Sequence, residues 1–84
     1  MINENISKEH VSKAIKEIDK DGIPNNRKST KYQLQFKDKN YPPKYILSLA
    51  NRYANGNYLN PSEFGGGSET NNFLKNLGFT ITEK

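Results

Sequence analysis

With 84 residues, 32% of them hydrophobic, and no cysteine, the chain can build one thin core but neither a disulfide frame, a thiol nucleophile nor a cysteine zinc site. His10 is the only histidine, which excludes a histidine-built metal centre, and the absence of both a signal-peptide stretch and an apolar run of ~20 residues leads us to expect a soluble cytoplasmic protein. The formal charge of +4 divides into −1 over residues 1–23, +6 over 24–54 and −1 over 55–84, so all the excess positive charge falls in the middle third.

The first predicted element opens at Ser7, a good N-cap, and carries Val11, Ala14, Ile15 and Ile18 at the spacing of one helical face. It predicts a helix over about 8–20, with Ile6 and Val11 as a hydrophobic staple and Gly22-Ile23-Pro24 as its stop. Its other face, Lys13, Lys16, Glu17 and Lys20, and His10 in its first turn are expected to meet water, and residues 1–6 to fray. The stretch PNNRKST at 24–30 reads as an exposed basic loop.

Tyr32, Leu34 and Phe36 then alternate with Gln33 and Gln35 between Lys31 and Lys37, the period of a strand with one buried face. KDKN at 37–40 reads as a hairpin connection, leaving Tyr41 for a very short return strand before two prolines. Pro43 suits the first turn of a second helix over about 43–54, with Ile46, Leu49, Ala50 and Tyr53 inward and Lys44, Ser48 and Arg52 on a shared polar face. Asn60-Pro61 is expected to cap one short turn. Three glycines at 65–67 run into a third helix whose buried side is expected to be Phe73, Leu74 and Leu77, and Gly78 stops it before a last strand from Phe79. The predicted fold is α+β in the order αββααβ: a hairpin plus the C-terminal strand, about three strands in one layer, packed against three helices.

Consecutive glycines before a helix are costly to order, and free N–H groups at such a turn suit phosphate or carboxylate; a tight turn packed closely is the other explanation. The glycines are not a phosphate-binding NTPase loop, because no Lys-Ser or Lys-Thr follows them. No nucleophile with its base, no carboxylate pair other than Glu63 and Glu69 beside the glycines, and no metal motif is visible, so an enzyme is not expected and no cofactor is implied. A basic segment interleaved with tyrosines points instead to nucleic acid. The candidate contacts are Arg27, Lys28, Lys31, Lys37, Lys39, Lys44 and Arg52 for phosphates, with Gly66, Gly67, Thr70 and Asn71 at the glycine turn; Thr70 and Asn71 have an equally good explanation as capping residues. Tyr32 and Tyr53 are assigned to the core, whereas Tyr41, Tyr45 and Tyr58 are left open between core and stacking.

YPPKYILSLANRYANG at 41–56 followed by LNPSEFGGGSETNNFLKNLGF at 59–79 resembles the small N-terminal head module of modification-dependent restriction proteins, the McrA-like HNH endonucleases of the ScoMcrA type and some McrB-like proteins. The matching positions are Tyr41, Pro42, Lys44, Phe64, Gly66, Gly67, Glu69, Thr70, Asn71, Phe73, Leu74, Leu77, Gly78 and Phe79. The resemblance implies an accessory DNA-contacting domain ahead of a nuclease, a modified-base reader or a motor, and lends these residues no nuclease activity. Residues 1–84 are accordingly expected to be one small domain serving as an N-terminal module of a longer protein, with duplex DNA, modified or not, as partner. A docking module for the parent's effector domain or an acidic partner, and a sensor of a small anion at the glycines, are the alternatives. All three need the basic middle and the glycine turn to share one side of the molecule.

Overall fold

A computed structural model describes residues 2–28, 31–60, 62, 64, 65 and 67–83. It contains helix α1 (Lys8–Asp21), one turn of 3-10 helix (Asn25–Arg27), strands β1 (Tyr32–Phe36) and β2 (Lys39–Tyr41), helix α2 (Pro43–Asn55), helix α3 (Ser68–Asn76) and strand β3 (Thr80–Glu83). This is the expected α+β order, helix-strand-strand-helix-helix-strand.

Local chemistry accounts for each helix end. Ser7 caps α1 and its N–H donates to Nδ1 of His10 at 2.9 Å, so the histidine expected to meet only water instead takes the place a Glu holds in a capping box. Ile6 and Val11, the staple pair, are both buried. Residues 2–6 do not fray. Ile2 is buried with Ile6, and Asn3 and Asn5 donate to Asn51 and Asn55 near the end of α2. At the far end of α3 the N–H groups of Gly78 and Phe79 return to the carbonyls of Lys75 and Leu74, a Schellman ending that requires the positive φ of +100° at Gly78 and folds Phe79 onto the core.

The three strands pair in the order β2-β1-β3, antiparallel throughout. Leu34 stands opposite Tyr41 on one side and Ile81 on the other, so these three share the inner face. Gln33, Gln35, Asn40, Thr80 and Thr82 share the outer one. The hairpin is tighter than KDKN suggests: Lys37 and Asp38 alone form the turn, both at positive φ, and β2 begins at Lys39. In the expected loop at 24–30 a 3-10 turn forms because Arg27 N–H closes back on the Pro24 carbonyl, and Ser29 and Thr30 lie outside the described residues.

α1 lies against α2, and the core joins both to the inner sheet face through Val11, Ile15, Leu34, Ile46, Leu49, Leu74 and Phe79. Tyr41, 4% exposed, plugs the sheet side and donates its hydroxyl to Asp19 at 2.7 Å. Burial, with the Asp19 hydrogen bond second, raises its pKa from 10 to about 12. The folded value exceeds the unfolded one, so this contribution is intact below pH 10 and is lost as pH climbs toward 12, by about 2–3 kcal/mol. Urea midpoints taken between pH 9 and 12 should fall more steeply for the native chain than for Tyr41→Phe; parallel curves would remove Tyr41 as the cause.

Candidate nucleic-acid interface

The segment after α2 doubles back along it. Arg52 lies over the Tyr58 ring, the Ser48 hydroxyl donates to the Leu59 carbonyl at 2.7 Å while Leu59 N–H returns to Ser48 O, and Lys44 lies over the Phe64 ring. The line Lys44, Ser48, Arg52, expected to form a shared polar face, is therefore covered, and Ser48 is buried. This return path delivers the glycine turn to the start of α2.

There the turn meets the beginning of β1. A Cβ on Gly67 would stand 4.0 Å from the Tyr32 ring, and Lys31 Nζ lies 5.4 Å from the centre of that ring. Lys44 Nζ is 5.0 Å from the Phe64 ring, one residue before Gly65. Gly67 caps α3 with φ of +62°, a conformation that favours glycine, and its carbonyl accepts from Asn71 N–H. The Gly65 N–H donates to Oε1 of Glu69 at 2.6 Å, so a carboxylate from the chain itself occupies one amide of the turn. Gly66 lies outside the described residues, as do Pro61 and Glu63, so the short turn expected at Pro61 is described only by the Ser62 N–H donated to Asn60 Oδ1.

Thr70 and Asn71 sit on the inward side of α3, both buried, and displace Phe73 and Leu77, which are half-buried, from the expected core stripe. The Thr70 hydroxyl donates to the Gly65 carbonyl at 2.6 Å and so braces the turn. Asn71 Oδ1 is shielded and without a partner among the described residues.

The basic residues divide in two. Lys39, on the inner sheet face opposite Phe36, pairs with Asp19 at 3.7 Å, and Arg52 pairs with Glu17 of α1. Among the described residues, Arg27, Lys28, Lys31, Lys37 and Lys44 have no carboxylate within salt-bridge distance. Lys31 precedes β1 and Lys37 follows it, about 20 Å apart by strand rise. Arg27 lies over the Tyr45 ring at 5.2 Å and borders a cleft of about 540 Å³ with Tyr58 and Asn60.

Tyr53, assigned to the core, is 39% exposed and donates to Glu17, which is the first cause of its raised pKa. Burial, then the nearby Tyr58 and Glu17, raises that of Tyr45. Among the described residues, no group of His, Asp or Glu is placed to hold a metal ion, and no helix is long and apolar enough to cross a membrane.

The model of the ScoMcrA-like N-terminal head domain matches residues 4–83. The chain belongs to that family. No curated protein and no solved structure matches it. The head domain's match spans α1 through β3, so it takes in the N-terminal helix and β1 as well as the YPPK and glycine segments that carry the resemblance. The match is to a head domain, not to an HNH nuclease domain.

Sequence reading missed the pairing of Arg52 and Lys39 with α1, because Glu17 and Asp19 are distant in the chain and look like ordinary surface acids. It also missed the Arg27–Tyr45 stack. The only signal there is the interleaving of basic residues and tyrosines across 27–58, which does not say which ring each cation meets.

Proposed function

We propose that this head domain is a non-catalytic DNA-binding or targeting module of a cytoplasmic restriction-type protein. The observation that carries the reading is that Lys31 and Lys44, neither held by a carboxylate among the described residues, each lie over a ring that borders the glycine turn, Tyr32 against Gly67 and Phe64 just before Gly65. Two cations beside a turn at a helix N-terminus favour an anion there. Lys37 at the opposite end of β1 supplies a further phosphate contact, with Arg27 and Lys28 nearer the first end. Lys39 and Arg52 contribute less, since each already faces an acid. A phosphate reaching the turn meets Glu69 as a competitor for the Gly65 N–H.

Binding of a labelled duplex should weaken steeply with salt. Lys31→Ala combined with Lys44→Ala is expected to flatten the logarithmic salt slope by about 2 and to lower affinity by roughly tenfold or more at moderate salt. Absence of binding by the native chain at low salt sinks the proposal, and so does a double variant that binds like the native chain.

A further inference from the structure

The outer face of the sheet is a surface that the packing leaves without a role. Register places Asn40, Gln35 and Thr80 in one row across the three strands and Gln33 beside Thr82 in the next. Gln35, Asn40 and Thr80 are exposed and the other two half-exposed. Among the described residues, none of these five side chains hydrogen-bonds within the chain.

An open face of an antiparallel sheet is ordinarily polar. This one is narrower in its chemistry. It carries no apolar residue and no charge, only three amides and two hydroxyls, although asparagine is a poor strand former and a face kept for solubility alone would use charged side chains too. The cations stand at its ends instead: Lys31 before β1 and Lys37 after it, both exposed, each with its ammonium group resting 5.4 Å from the ring centre of its strand neighbour, Tyr32 and Phe36, and no acid stands on the face itself.

We infer that this face enters the major groove of duplex DNA and that Gln33, Gln35 and Asn40 read base edges there, while Lys31 and Lys37 hold phosphates at its ends. The inference rests on the DNA-binding reading above. Glutamine and asparagine present a donor and an acceptor side by side, the match to N6 and N7 of adenine, and a threonine methyl suits the methyl group of thymine. Three strands about 4.8 Å apart make a ribbon about 10 Å across, close to the ~12 Å width of the major groove. A neutral face suits this role, since a carboxylate would repel the phosphates and a lysine would bind them without regard to sequence.

The test changes the DNA before the protein, so folding is not in question. A short A·T-rich duplex and the same duplex carrying 7-deazaadenine, which lacks the major-groove N7 acceptor, are titrated with the native chain. The natural duplex should bind tighter by about five- to a hundredfold, a minor-groove ligand should not displace the protein, and Gln35→Ala, an exposed position, should bring the two duplexes together. Equal affinity for both duplexes, displacement by the minor-groove ligand, or a Gln35→Ala variant that still separates them overturns the inference. Salt-dependent binding blind to the deaza change defeats this inference alone, whereas no binding to either duplex defeats the DNA reading beneath it.

Discussion

Leu34→Ala is expected to cost about 3–5 kcal/mol, the upper part of the range for a buried leucine. Leu34 is 0% exposed and sits on the central strand between Tyr41 and Ile81, facing the helices. Neighbours on both flanking strands are fixed by register, so the backbone cannot close the space that the lost side chain leaves. A domain of this length has roughly 4–13 kcal/mol of total stability, and the change removes from about a quarter to all of it. Urea unfolding followed by far-UV circular dichroism should show a midpoint displaced at unchanged slope. Gln35→Ala, one residue away on the outer face, should stay within about 0.5 kcal/mol. A loss below about 1 kcal/mol for Leu34→Ala would mean that the core is not organised around β1.

Asn51→Ala should cost about 2–4 kcal/mol, more than its size suggests. Its side chain is 1% exposed and makes three hydrogen bonds: Oδ1 accepts from Asn3 Nδ2 at 2.7 Å and Asn55 Nδ2 at 2.6 Å, and Nδ2 donates to the Asn57 carbonyl at 2.8 Å. Alanine removes all three bonds at once and leaves a gap at a buried position, so the ties to Asn3, Asn55 and Asn57 are lost together, although those exposed partners can turn to water. Asn51→Asp repairs two contacts but turns an acceptor toward the Asn57 carbonyl, so it too should be destabilised. Amide exchange should quicken in residues 2–6 and 56–59 more than in the middle of α2. Uniform quickening would instead mark a general loss of helix packing.

The helical stripes Val11, Ala14, Ile15, Ile18 and Ile46, Leu49, Ala50 are legible because burial alone selects them, and a local cap closes each end. Gly78 followed by an aromatic is legible for the same reason. Tyr53 misleads because it completes an apolar stripe while its hydroxyl seeks an acceptor, and Glu17 on the neighbouring helix draws it to the surface. Thr70 and Asn71 mislead in the opposite direction: as polar residues in a first turn they look outward, yet the Gly65 carbonyl needs a donor from inside. Positive charge along 24–54 is visible in the chain, but its sorting into paired and unpaired cations depends on α1, whose acids are remote in sequence. The outer sheet face follows from the alternation in β1, and its rows across three strands only from the register.

Strand order also decides how the sheet could grow. β2 is three residues long and runs at once into Pro42 and Pro43, which offer no N–H, so its open border is too short to hold another strand well. Lateral addition of any further strand, from the same polypeptide or another, is thereby directed to the far border of β3.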